Sequence, residues 1–287
     1  MITGLANQVE RTAAEAGARS ASVAFYDYAS DSSWSYQGER WYHAASTIKV
    51  AVLVGLFAAV EAGRCRLDDR LHVHNRFISA YEGAAFSVDP AQDSNSEVHD
   101  AIGQMMRIHT LAEHMIATSS NLATNLLLDH IGVEYTRGVL TRLGVDGIEL
   151  RRGVDDEAAF DAGINNRVTA DGLTRLFRII EDRRLISEEA ADGMLDLLRK
   201  QQFQEGIPAG IPDNVRWKAQ FAHKTGDIST VTHDAGLVYL PGREPYVVTI
   251  LTEWDPDAPN RRETVARISG LVYRHVTGGP SPAALDG

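Results

Sequence analysis

The sequence predicts a mixed α/β (α+β) fold: an antiparallel sheet flanked by helices, built from both chain ends, with an all-helical insertion lobe. Three observations predict it. Segments rich in β-branched and aromatic residues occur near both termini, alanine- and leucine-rich stretches with helical spacing fill the middle, and a further helical pattern closes the chain. Strands, then many helices, then strands and a helix pack most simply when both ends supply one sheet. At 287 residues the chain is expected to be a single domain over 1–287, with an α/β lobe at about 1–45 and 212–287 and a helical lobe at about 46–211.

The elements follow in order. Ala21 to Tyr28 and Ser33 to Gln37, joined across Ser30-Asp31-Ser32, predict a hairpin. Thr47 to Ala62 is apolar and proline-free, with Gly63 after it, which predicts a buried helix ended by glycine. Asn75 to Asp100 is polar and expected to be a surface loop. Thr110 to Ala117, Asn121 to Ile131 and Tyr135 to Leu143 have helical spacing, and Gly132 and Gly144 end the last two. Arg151 to Arg167 has no clear period. Thr169 to Asp182 and Ser187 to Lys200 are amphipathic patterns, each opened by a hydroxyl residue suited to N-capping. Val215 to His223, Asp234 to Leu240 and Tyr246 to Trp254 predict strands, separated by turns at Lys224 to Gly226 and Pro241 to Pro245. Asn260 to His275 predicts the closing helix, and the tail from 278 to 287 reads as a frayed end.

Composition excludes several classes of function. The balance of 28 Lys+Arg against 39 Asp+Glu, a net charge of −11, argues against a general nucleic-acid binder and against peripheral binding to anionic membrane. The longest apolar run, Val50 to Val60, is too short for a bilayer, which takes about 20 residues. The single Cys65 excludes an internal disulfide and a cysteine zinc cluster. The first residues show no basic start followed by an apolar stretch, so the expected location is cytoplasmic, or periplasmic or secreted if a leader has been removed.

Three short segments carry the chemistry. In Ser46-Thr47-Ile48-Lys49 at the start of the apolar helix, the lysine lies one turn after the serine on the same face. A serine hydroxyl needs a base within hydrogen-bond reach, and a lysine serves only if its surroundings hold its pKa down. Ser119-Ser120-Asn121 falls between two helices, where a hydroxyl and a carboxamide can project from one loop. His223-Lys224-Thr225-Gly226 ends a predicted strand with a cation and a hydroxyl suited to a carboxylate, and a glycine that permits close backbone approach. Singly, each is explained by ordinary capping or a turn.

In this chain order the three segments match the motif set of the penicillin-recognising serine enzymes, and the sequence resembles class A β-lactamases and low-molecular-weight penicillin-binding proteins. Ser119 to Gly132 and Ile207 to Pro212 carry the likeness further, and it spans nearly the whole chain. The resemblance implies a β-lactamase/transpeptidase-like fold with its site in a cleft between the lobes, and a serine hydrolase that opens the β-lactam amide through an acyl-enzyme. It implies Ser46 as nucleophile, Lys49 as base or proton relay, and Ser119 as the group passing a proton to the leaving nitrogen. Asn121 would hold the substrate's side-chain amide, and Lys224 and Thr225 its carboxylate beside Gly226. The N–H groups of Ser46 and Asp227 would form the oxyanion hole. No metal or organic cofactor is implied, and the partner is a small-molecule substrate. A D-alanyl-D-alanine carboxypeptidase, an esterase and a non-catalytic β-lactam or peptide binder are the alternatives.

Three departures from the family pattern stand out. The middle motif is Ser-Ser-Asn where the family usually has Ser-Asp-Asn. The loop after the helices lacks the usual glutamate followed four residues later by asparagine. Glu157 is its only glutamate and the expected deacylation base, with Asp155 and Asp156 as rivals. Asp227 follows Lys-Thr-Gly directly and would repel a substrate carboxylate unless a cation neutralises it, for which His223, His233 and Arg243 are the expected partners by proximity. His43 is expected to support the site rather than react.

Overall fold

The computed structural model describes residues 2–183 and 187–278, and the chain divides into two compact units. The first unit comprises Met1–Thr47, Thr169–Arg178 and Phe203–Gly287. Its five-stranded antiparallel sheet runs, in spatial order, Gln220–Ile228, Val231–Tyr239, Tyr246–Glu253, Ser20–Asp27 and Ser32–Tyr36. The N-terminal hairpin joins the C-terminal strands through the pairing of Ser20–Asp27 with Tyr246–Glu253, with Ala24 opposite Thr249. Both chain ends thus build one sheet. Alternation along the strands turns Val23, Phe25, Val248 and Ile250 to one face, where they are buried with Leu5 and Val9 of the Ile2–Glu15 helix and Val265, Ile268 and Val272 of the Arg261–Thr277 helix.

The Ile2–Glu15 helix is an addition to the sequence expectation; the four-residue spacing of Leu5, Val9 and Ala13 is its signature. The first turns of the Ala170–Asp182 helix also belong to this unit, with the Thr174 hydroxyl 2.9 Å from that of Thr249. The expected strand from Val215 begins later. Pro212 opens a short helix, Asp213–Arg216, and the strand then runs unbroken from Gln220 to Ile228. Lys224-Thr225-Gly226 therefore lies within a strand rather than at a turn, because each has a ladder partner, Ala235, Asp234 and His233 respectively. The turn falls at Ser229-Thr230, since Ile228 pairs with Val231.

The second unit comprises Ile48–Val168 and Ile179–Gln202. Its principal helices are Lys49–Glu61, Ile108–Ala117, Asn121–Ile131, Val133–Arg142 and Glu188–Leu198. Every residue from Lys49 to Phe57 is buried, so the first of these is a central helix enclosed on all sides until its last turn. The predicted start at Thr47 is in fact a 3-10 turn, Ala45–Ile48, that leads directly into the α-helix at Lys49. Gly55 lets a neighbour approach: a Cβ there would lie 2.6 Å from the Thr136 hydroxyl.

The insertion is not wholly helical. Small antiparallel ladders join Arg70–His72 to Met105–Arg107, Phe77–Ile78 to Ala85–Phe86, and Ile148–Glu149 to Arg167–Val168. The expected loop from Asn75 to Asp100 also holds the short helix Ser96–Asp100, started by the Asn95 side chain accepting from Val98 N–H. Another short helix, Glu157–Asp161, interrupts the aperiodic stretch and is capped by Asp156. Among the described residues no helix is long and apolar enough to cross a membrane. The tail from 279 to 287 lies outside the described residues.

Candidate active site

In the first unit, Ser46 is half-buried in the turn that precedes the central helix. The residue before it, Ala45, takes φ 45°, a left-handed conformation that a side chain disfavours. Two histidines hold this turn. Ala45 N–H donates to His43 Nδ1 at 3.1 Å, and His233 Nε2 donates to the His43 carbonyl at 3.0 Å. His233 Nδ1 accepts from Thr252 N–H at 3.2 Å, which fixes its tautomer as Nε2–H. Burial pushes the His233 pKa down to about 4, so the ring is neutral. Thr47 tightens the turn with its hydroxyl on the Ala44 carbonyl at 2.6 Å.

The strand carrying Lys224 lies close to this turn. A Cβ at Gly226 would meet the Thr47 side chain at 3.0 Å and Ala45 at 3.2 Å, so glycine allows the backbone approach. Lys224 is fully buried and donates to the Thr225 carbonyl at 2.9 Å. Asp227 is neutralised, but by partners other than those expected. Arg261 and Arg262, at the start of the last helix, approach it at 3.2 and 3.0 Å, and the Thr232 hydroxyl donates at 3.1 Å. His223 is instead paired with Asp234 at 2.9 Å, His233 serves the Ser46 turn, and Arg243 pairs with Asp27. Sequence proximity could not find the arginines, because they come from a different element.

In the second unit, Lys49 is fully buried and its ammonium donates three hydrogen bonds: to the Ser119 carbonyl at 2.6 Å, the Ser119 hydroxyl at 3.1 Å and Asn121 Oδ1 at 2.7 Å. Burial pushes its pKa down to about 8, against the upward pull of Asp93 and Asp155. Ser119 takes φ 62°, another left-handed non-glycine position. Ser120 caps the following helix by accepting from Ala123 N–H.

The three acidic residues of the following loop have separate surroundings. Asp155 accepts from Asn121 Nδ2 at 2.8 Å, and burial raises its pKa more than Lys49 and Asn121 lower it. Asp156 is fully buried and structural, accepting from the Ser79 hydroxyl and from the N–H groups of Ala80 and Ala159. Glu157 is exposed in the first turn of its helix. The loop is pinned just before them by reciprocal bonds between the Asn125 carboxamide and the Val154 backbone, at 2.8 and 2.9 Å. Lys49, Ser119, Asn121 and Asp155 thus form one cluster, while Glu157 stands outside it. Sequence reasoning missed Asp93, whose carboxylate holds the backbone of this cluster.

Comparison with known proteins gives the family and the fold. A family model described as the β-lactamase enzyme family matches residues 4–276. A β-lactamase of Kitasatospora aureofaciens is 26% identical over 250 residues, covering 85% of this chain and 76% of that protein. The structure is similar to that of PBP-A, with 25% identity, a TM-score of 0.80 and coverage of 96% of this chain and 97% of that one. A mutant of PBP-A, seen as its acyl-enzyme with penicillin G, is similar at a TM-score of 0.77, again 25% identical, over 96% of this chain and 97% of that one. The class A β-lactamase from Mycobacterium abscessus, at 19% identity, shares the fold with a TM-score of 0.82 over 95% of this chain and 99% of its own.

Proposed function

The chain belongs to the β-lactamase enzyme family, and from that premise we propose that it is a serine hydrolase of the class A type that opens β-lactams through an acyl-enzyme on Ser46. The observation that carries this reading is Lys49: a buried amine with a pKa near 8, bonded to the Ser119 hydroxyl, at the head of the helix that the Ser46 turn leads into. In the neutral form it takes the Ser46 proton as the hydroxyl oxygen attacks the lactam carbonyl carbon. The carbonyl oxygen gains negative charge and is met by the N–H groups of Ser46 and Asp227, an interaction often worth about 3 kcal/mol of barrier per donor. When the carbon–nitrogen bond breaks, the leaving nitrogen takes a proton from Ser119, which recovers one from Lys49. Lys224 and Thr225 hold the substrate carboxylate, and Asn121 exchanges one of its present bonds for the side-chain amide.

Hydrolysis of the ester needs a second base. We assign this role to Asp155 rather than Glu157, since Asp155 lies beside Lys49 while Glu157 is exposed outside the cluster, and its raised pKa makes it a better proton acceptor than an ordinary aspartate. The second reading is a D-alanyl-D-alanine peptidase or esterase whose penicillin ester persists. It is favoured by one observation, that Asp155 is already engaged with Asn121 and close to Lys49.

Time-resolved intact mass after mixing with penicillin G, with Ser46→Ala alongside, tests both. The expected course is a gain of the penicillin mass followed by return to the starting mass, and no adduct on the alanine variant. Asp155→Asn is expected to prolong the adduct about 100-fold, whereas Glu157→Gln leaves its lifetime within about twofold. An adduct that lasts in the parent protein selects the second reading, and an Asp155→Asn adduct that clears as fast as the parent's removes Asp155 from the mechanism.

A further inference from the structure

Asp93 is a carboxylate in an unexpected place. Its side chain is fully buried, although it stems from the polar stretch between Asn75 and Asp100. Oδ1 accepts from Asn121 N–H at 2.9 Å, and Oδ2 accepts from Leu122 N–H at 2.9 Å and from the Ser120 hydroxyl at 3.2 Å. His99 Nε2 approaches the same Oδ2 at 3.1 Å, while its Nδ1 is buried without a hydrogen-bond partner among the described residues. The first N–H groups of a helix have no intrahelical acceptor, and the Asn121–Ile131 helix already uses Ser120 for one of them. Ser120 takes Ala123 N–H and Asp93 takes the two before it, Asn121 and Leu122, so the first turn is completed by a residue distant in sequence.

The consequence reaches beyond capping. The backbone that Asp93 holds is the one that presents the Ser119 hydroxyl and the Asn121 carboxamide to Lys49, at a position where Ser119 is in left-handed geometry. A left-handed serine persists only where its neighbours over-determine it. Here those constraints are Lys49 on the Ser119 carbonyl, the bond from Ser120 N–H to the His114 carbonyl, and Asp93 on the next two residues. We propose that Asp93 is a positioning residue of the catalytic centre, fixing the Ser120–Leu122 backbone so that Ser119 and Asn121 face Lys49, and supplying a fixed negative charge to the field at that amine.

This inference rests on the reading of Lys49 and Ser119 as the proton path. The charged and titratable groups around Lys49 are Asp155 and Asp93, with Arg152 acting on Asp155 and His99 on Asp93. Removing the Asp93 charge leaves Asp155 as the main opposing influence on a buried ammonium, so the Lys49 proton is lost at lower pH.

The test is a carbon-13 NMR titration of Lys49 Cε together with acylation rates by penicillin G. For Asp93→Asn the expected result is a Lys49 midpoint lowered by about half a unit or more, an acylation rate reduced about tenfold or more, and penicillin affinity within about twofold of the parent. A carboxylate moved to the neighbouring hydroxyl position, in the double variant Asp93→Ser with Ser120→Asp, is expected to restore the midpoint and most of the rate. If Asp93→Asn does not fold, the double variant decides alone: parental values support the proposal, and a folded protein with low acylation overturns it. A purely structural cap would lower the melting temperature of Asp93→Asn while leaving midpoint and rate unchanged, and that result also overturns it. Absence of any penicillin adduct on the parent would defeat the lactam reading instead, and the titration would still decide the role of Asp93.

Discussion

Two turns, one in each unit, solve the same steric problem with different chemistry. Ala45 and Ser119 are both non-glycine residues in left-handed geometry, at φ 45° and 62°, and each lies beside or at a residue assigned to the reaction. Such conformations cost on the order of 1–3 kcal/mol apiece and survive only when surrounding bonds dictate them. The Ser46 turn is held by neutral groups: His233 bridges Thr252 N–H and the His43 carbonyl, and His43 takes Ala45 N–H. The 119–121 turn is held by charges, with Lys49 on one side and Asp93 on the other. A neutral clamp fixes geometry alone. In a charged clamp each arm also shifts the protonation of the other, and here one arm is the proposed base.

The comparison breaks most visibly at Lys49. Removing the amine in Lys49→Ala is expected to slow acylation of Ser46 by about 1,000-fold or more, since both the base and the bonds to Ser119 and Asn121 are lost. The pH profile carries the sign. The neutral amine is the reactive form, so acylation rises with pH and levels off above a midpoint near 8. Lys49→Arg keeps a cation that does not deprotonate, and its acylation should be slow and without that midpoint. Stopped-flow acylation between pH 5 and pH 10, values bracketing the about 8 of Lys49, measures both. A parental midpoint near an ordinary lysine value would remove Lys49 as the general base.

The residues at the centre of each turn are legible in the sequence and the clamps around them are not, and the division has a physical cause. Ser46, Lys49, Ser119, Asn121, Lys224 and Gly226 stand in short local motifs, and the glycine stops and apolar runs placed their helices within a few residues. The antiparallel sheet from both chain ends followed from the order of the patterns. The clamps were not legible, because they are long-range. Asp93 reaches Asn121 from a loop that looks merely solvated, His233 reaches His43 from the other end of the chain, and Arg261 and Arg262 reach Asp227 from the last helix. The acidic loop shows the same limit. Asp155, Asp156 and Glu157 are adjacent and chemically alike, and only the fold sends one to Asn121, one into a helix cap and one to solvent.

A smaller effect sharpens the neutral side. His233→Phe fills the ring's volume but removes its donor to the His43 carbonyl, and acylation is expected to fall about tenfold with little change in penicillin affinity. His233→Gln keeps a donor at a comparable reach and should recover most of the rate, which a loss of packing alone would not explain. The same histidine contributes to acid sensitivity. Its pKa is near 4 when folded against 6.5 when unfolded, so the unfolded chain binds the proton more readily between those values. Stability is therefore full above about 6.5 and declines as pH falls toward 4, by on the order of 3 kcal/mol. Urea midpoints across that range should fall more steeply for the parent than for His233→Gln.

The smallest expected effect is at Ala45 itself. Glycine reaches φ 45° without the steric penalty of a Cβ, so Ala45→Gly relieves the strain in the folded state. It also loosens the unfolded chain, an entropic cost of up to about 1 kcal/mol that opposes the gain. The net change in stability should thus be within about 1 kcal/mol of zero. Its value lies in combination. If the histidine clamp exists to impose a conformation that alanine resists, then His233→Phe should cost less acylation when residue 45 is glycine than when it is alanine. A double-mutant cycle on acylation rate reads that coupling directly. Strictly additive losses would mean that His233 acts on Ser46 by some route other than the Ala45 turn, and the parallel between the two turns would then be one of geometry without shared purpose.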